Sequence, residues 1–144
     1  DTVPSEFEVS TEVRSSLPVV AERSTYGDER TWAHSSVGVS APSNTWYLTE
    51  GSTAPGFETW ILVQNPNAKE AKVELKYMTP EGPVQGPTAV LPPYSRKTFN
   101  VADTVPSEFE VSTEVRSSLP VVAERSTYGD ERTWAHSSVG VSAN

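Results

Sequence analysis

Asp1 to Ala41, DTVPSEFEVSTEVRSSLPVVAERSTYGDERTWAHSSVGVSA, returns unchanged as Asp103 to Ala143, so every residue n of the leading copy has a twin at n + 102. A period of about a hundred residues is too long for a solenoid repeat and matches a small autonomous domain. The chain therefore reads as about one and a half copies of one tandem unit. Duplicated catalytic sites are expected to drift once one suffices, whereas a repeated building part gains nothing by drifting. Identity across the whole segment favours a structural role, and a recent duplication explains it as well.

Working outward from the duplicated segment, the unit is a succession of short strands. Thr45 to Glu50 is the first, followed by the turn-rich Gly51-Ser52-Thr53-Ala54-Pro55-Gly56. Phe57-Glu58-Thr59-Trp60-Ile61-Leu62-Val63-Gln64 is apolar on both alternations at its centre, as a strand covered on both faces is, and Asn65-Pro66-Asn67 stops it. It is expected to be the central strand, with Trp60 in the core. Val73, Leu75 and Tyr77 alternate with charged residues up to the Pro80-Glu81-Gly82-Pro83 turn. Pro83 to Leu91, broken by Gly86 and Pro87, suits an edge, where a missing N–H is tolerated. Arg96 to Val101 puts Lys97, Phe99 and Val101 on one face, with Lys97 snorkelling from the strand end.

In the duplicated part, Phe109, Val111, Thr113 and Val115 form a core alternation against an acidic stripe. A strand from Val121 to Tyr128, a Gly129-Asp130-Glu131 turn and a last strand from Thr133 to Val141 complete the unit. About eight short strands, with turn signals roughly every ten residues, predict an all-β protein. The expected fold is a tandemly repeated, immunoglobulin-like β-sandwich of about seven to eight strands. A repeat fixes the period and not the frame, so a domain over 42–143 and a permuted one over 1–102 are both consistent with it. The Ser/Pro/Asn joint at 40–44 favours the first. Residues 1–41 are then the last three strands of a preceding copy, an incomplete domain, and 42–144 one complete repeat.

Trp46-Tyr47-Leu48-Thr49-Glu50-Gly51-Ser52-Thr53, Gly56 to Pro66 and Pro120-Val121-Val122-Ala123-Glu124-Arg125 resemble the roughly hundred-residue repeats of uncharacterised function in secreted and cell-surface proteins of bacteria, notably actinobacteria. The similarity extends over most of 42–143, including Leu91 to Arg96 and His136 to Val141. The resemblance implies an immunoglobulin-like sandwich, export and tandem arrangement. It carries no catalytic residues.

The net charge of −8, with basic residues outnumbered and scattered, makes nucleic acid and anionic membranes poor partners, and neither is expected. Cysteine is absent, which removes disulfides and thiolate metal sites. No run of 18 apolar residues suggests membrane insertion by this segment. His34 and His136 are twins, each beside a Trp with no second His and no acid at ligand spacing, so zinc finds no ligand set. Ser36 and Ser138 share a face with them but lack an orienting acid and an elbow sequence, and no enzyme is expected. Calcium would have only Asp103 or Glu50 at the joints, short of the clustered acids it needs. Lys97, on the apolar alternation, is the only lysine suggestive of an intramolecular Lys–Asn crosslink, and such a crosslink is not expected. No cofactor is expected.

The residues expected to make contacts are aromatic. Trp46 and Tyr47 point to opposite faces of one strand, so one of them faces out; Trp134 and its twin Trp32 are the other candidates. The expected function is a stalk, spacer or filament repeat, extracellular or at a bacterial surface. Its partners are identical neighbouring repeats, with head-to-tail strand exchange between 1–41 and 103–143 as a sharper version. The alternative is an adhesin-like or carbohydrate-binding repeat that recognises a surface glycan or host ligand.

Overall fold

The computed structural model describes residue 6 and residues 8–143; the remainder of the leading copy's first seven residues, and Asn144, lie outside the described residues. Among the described residues, ten strands run in the order β1 (Glu22–Gly27), β2 (Trp32–Val37), β3 (Ser43–Leu48), β4 (Phe57–Asn65), β5 (Ala71–Thr79), β6 (Gly82–Leu91), β7 (Ser95–Asn100), β8 (Ser112–Gly129), β9 (Trp134–Val139) and β10 (Val141–Ser142). The protein is an all-β sandwich. β3 to β10 form one antiparallel hydrogen-bonded set, and β1 pairs only with β2.

One long strand builds both layers. The first part of β8 lies between β3 and β5, with Val115 opposite both Trp46 and Leu75. Its second part lies between β4 and β9, with Arg125 opposite Ile61 and Ser138. One layer is thus β10-β3-β8-β5-β6 and the other β7-β4-β8-β9. Two strands are expected where β8 runs unbroken through Pro120. Pairing with β5 ends at Ser117 and pairing with β4 starts at Val122, so the missing N–H of Pro120 falls where the chain changes layers. The last strand makes the reverse crossing. β9 pairs with β8, β10 pairs with β3, and a Cβ on the buried Gly140 between them would stand 3.2 Å from the Trp46 ring and from the Tyr47 carbonyl, closer than ordinary contact.

Between the layers lie Trp46, Leu48, Val73, Leu75, Tyr77 and Val115 from one sheet and Ile61, Val63, Phe99 and Ala123 from the other, all buried. Each large side chain removed from water in this way contributes roughly 1.5–3 kcal/mol. β4 is an inner strand and β6 an edge, as their sequences predict. Two expectations are corrected, and one weighed possibility is removed. Trp60 is only half-buried, because it alternates with Ile61 and Thr59 and so faces away from the core, its indole N–H donating to Glu58. Phe109 precedes the strand and is 66% exposed, although Val111, Thr113 and Val115 are buried. Lys97 is exposed with its ammonium over the Phe99 ring, so it cannot form a buried crosslink.

The leading copy folds differently from its twin. Among its described residues β1 and β2 are the strands that form, and residues 8–21 are in no strand, where three strands are expected in 1–41. The twin stretch in β8 needs β3 and β5 on its flanks, and β8 itself already occupies that slot. The β1–β2 hairpin instead lies on the outer face of β8 and β9. Arg23 pairs there with Glu124 and donates to Ser137 Oγ at 3.0 Å, His34 Nδ1 is 2.7 Å from the same hydroxyl, and Trp32 meets Tyr128 edge-on.

Candidate functional site

Where the two layers part at one end of the sandwich, the alternation of β8 and β9 leaves a cleft of about 790 Å³. Ala123, Arg125 and Thr127 point inward from β8; Trp134 and His136 follow from β9 by cross-strand pairing with Gly129 and Thr127. Phe57 opens β4 at the rim and meets Phe109 and Trp134 edge-on at ring separations of 6.0 and 5.9 Å. Trp134, 41% exposed, and Phe109 thus present apolar surface to solvent beside a polar floor.

That floor is Arg125. Its side chain is 4% exposed, and it donates to Thr127 Oγ1 at 2.8 Å and to His136 Nδ1 at 3.1 Å. A guanidinium can only donate, so Nδ1 must accept and the neutral His136 ring carries its proton on Nε2. The counter-ion is Glu50, 3.2 Å from Nη2 and 76% exposed. Burial pulls the Arg125 guanidinium below its usual range and the Glu50 carboxylate acts against that shift. A cation so placed needs all its partners, because an unpaired buried charge is costly.

The loop that carries Glu50 is fixed. Ser52 N donates to Thr59 Oγ1 at 2.9 Å, and the same hydroxyl donates to Ser52 O at 2.7 Å. Val111 N donates to Gly51 O and Thr53 N to Glu108 O. Gly51 lies close at this crossing: a Cβ would stand 3.0 Å from both the Thr59 side chain and the Val111 carbonyl, so a side chain there would require its neighbours to give way. The result is a cleft with an Arg–Glu pair, an imidazole, hydroxyls of Thr49 and Ser112, and aromatic walls. It offers hydrogen-bond donors and acceptors beside apolar rings.

Of the four aromatic residues expected to make contacts, only Trp134 belongs to the cleft. Trp46 is corrected: it is 2% exposed on the inner face, with its indole donating to Val121 O at 2.8 Å. Tyr47 faces out beside Val141, and Trp32 sits in the leading hairpin. Glu50, weighed as a calcium ligand, is the partner of Arg125. No group of three or more candidate metal ligands occurs among the described residues. Arg125, Phe57 and Phe109 were missed as site residues, yet one signal was present: an arginine on the inward alternation of a strand between Ala123 and Thr127.

A family model described as a family of unknown function, DUF5719, matches residues 10–124. The chain belongs to this family. The DUF5719 match begins in the leading copy and ends within β8, so it includes the Glu50 loop and β4 but stops short of Arg125 and β9. No curated protein matches. Among solved structures, the crystal structure of Thermotoga maritima 1070 superposes with a TM-score of 0.64 at 16% identity, covering 71% of this chain and 96% of that one. The Anabaena sensory rhodopsin transducer superposes with a TM-score of 0.53 at 20% identity, covering 61% of this chain and 99% of that one. Both are similar in fold.

Proposed function

We propose that this DUF5719 chain is a repeat module that binds neutral carbohydrate in the Arg125 cleft and is displayed in tandem copies at a bacterial surface. The observation that carries this reading is the buried Arg125 held by an exposed Glu50 beside the Phe57, Phe109 and Trp134 rings. An anion would have to displace Glu50 to reach the guanidinium. A sugar hydroxyl can instead donate to Glu50 and accept from Arg125 at once, while the sugar's apolar face lies on an aromatic ring. Carbohydrate at single sites binds weakly, and copies in an array raise avidity.

The test is binding of the full chain to an array of neutral and acidic glycans, followed by titration of the best binder. Glu50→Gln removes a charge-assisted acceptor and is expected to weaken a neutral sugar by about tenfold or more. Trp134→Ala is expected to remove the stacking surface and most of the affinity. Binding confined to acidic glycans, or unchanged in both variants, sinks the reading.

A second reading, a stalk or spacer of identical repeats, is favoured by the contact of one copy with the other through Arg23, Glu124, His34 and Ser137. Such contacts between neighbouring repeats would limit bending at the joints. Force extension of a multi-repeat chain, stiffer than its Arg23→Ala counterpart, is the expected result.

A further inference from the structure

The sandwich has one slot and two segments that fit it. In the trailing copy Val115 and Val121 are fully buried, whereas their twins Val13 and Val19 are 58% and 62% exposed in a stretch without strand partners. The leading copy thus holds in solvent the same apolar alternation that forms the middle of the sandwich 102 residues later. Exposed apolar side chains of this kind are a standing drive toward the slot.

The connections allow it. The trailing copy ends beside the start of β3: Val141 is opposite Tyr47, Ser142 opposite Trp46, Ala143 N donates to Thr45 O at 3.2 Å and Ser43 Oγ donates to Ala143 O at 3.3 Å. The twins of these residues, Val39, Ser40 and Ala41, directly precede β3 in the chain. Were the leading copy in the slot, Val39 would face Tyr47 and Ser40 would face Trp46 across the loop 41–45, a length that β-hairpins commonly use. At the opposite end the break would fall between Ala102 and Asp103, outside the strands but within the 3-10 turn Val101–Asp103, so the bonds that Thr104 N and Val105 N donate to Val101 O would be made across the break by Thr2 and Val3. Closely spaced ends are what permit circular permutation.

We infer that residues 1–41 and 103–143 compete within one molecule for the core built by β3 to β7, giving two folded states that differ only in which copy completes the sandwich. The strand side chains that fill the slot are the same in both, while Val39, which packs against the core here, would move to the exposed place of its twin Val141; the balance is set by this exchange, by the two connections and by where the spare hairpin docks. Arg23, Trp32 and His34 would take the places of Arg125, Trp134 and His136, and the same cleft would form. The inference stands on the sequence identity and on the position of Ala143, independently of any ligand. In an array it means that each duplicated segment can complete the core before it or the core after it.

The experiment uses the full chain with a charge placed in the buried strand: Val115→Asp, Val13→Asp and the two together, followed by circular dichroism melting and light scattering. Val115→Asp is expected to stay folded as a monomer with a cooperative melt, because the leading copy takes the slot, and Val13→Asp to resemble the parent. The double variant is expected to lose the folded signal entirely. Unfolded Val115→Asp beside folded Val13→Asp overturns the proposal. Folded but oligomeric Val115→Asp overturns it also, since completion would then come from another molecule.

Discussion

The indole of Trp134 lies over the backbone of Gly129, its partner across the β8–β9 ladder, so closely that a Cβ on residue 129 would fall 2.0 Å from the ring. The same relation holds between Gly27 and Trp32 in the leading hairpin. Glycine at this pair is therefore a requirement of the tryptophan's position, and through it of the cleft wall.

Gly129→Ala must push the Trp134 ring outward. The expected cost is roughly 1–3 kcal/mol, the range for a side chain forced into occupied space. Tryptophan fluorescence should shift to the red and binding in the cleft should fall. A variant with unchanged emission and unchanged melting would show that the ring has room to spare.

Asn65 closes β4 and is fully buried. Its amide nitrogen donates toward the carbonyls of Lys69, Leu91 and Pro92, and its oxygen accepts from the backbone and side chain of Asn67. Asn67 in turn donates to Pro120 O at the point where β8 changes layers. Asn65→Leu leaves several of these groups without partners, at about 1–3 kcal/mol for each one that water cannot reach. A loss of at least 3 kcal/mol in urea unfolding is expected; a loss below 1 kcal/mol would show that water replaces the amide.

Trp46→Phe tests the same crossing from inside. The ring shrinks in a closed core and the Val121 carbonyl loses the indole N–H. About 2 kcal/mol of destabilisation follows from the cavity and the unpaired carbonyl together. Thermal unfolding of Trp46→Phe beside Trp46→Leu separates them, since only shape differs between the two replacements.

The strands of the complete copy were legible because their alternation and their stops are local. The inner position of β4 followed from its apolar centre, and the edge position of β6 from Pro87. What could not be read is the difference between Val13 and Val115. Identical neighbours surround both, and only the presence of β3 and β5 on either side makes one a strand. The cleft was half legible. Trp134 was a candidate on aromatic grounds, but pairing Arg125 with Glu50 requires knowing that the loop after β3 returns over β8, a contact 75 residues apart in sequence. The continuity of β8 was not legible for a related reason: Phe109 to Val115 and Val121 to Tyr128 read as separate strands, and only the partners on either side show that one strand passes from layer to layer through Pro120.

Docking of the leading hairpin should depend on pH through His34. Burial, then the Arg23 charge, then His136 hold this ring below its ordinary value of 6.5. The groups facing it are Arg23 on its own hairpin and Ser137, Glu124, His136 and Tyr128 from β8 and β9. With the docked value lowered, the undocked hairpin binds more protons, so docking is fully present above about 6.5 and weakens as pH falls from there through the docked value. Protonation would also convert Nδ1 into a second donor beside Arg23, both aimed at the one Ser137 hydroxyl. An NMR titration of the His34 ring should give an inflection below 6.5, accompanied by loss of the Trp32 to Tyr128 contact at acid pH. An inflection at or above 6.5 would mean that Glu124 outweighs burial and that acid strengthens the contact.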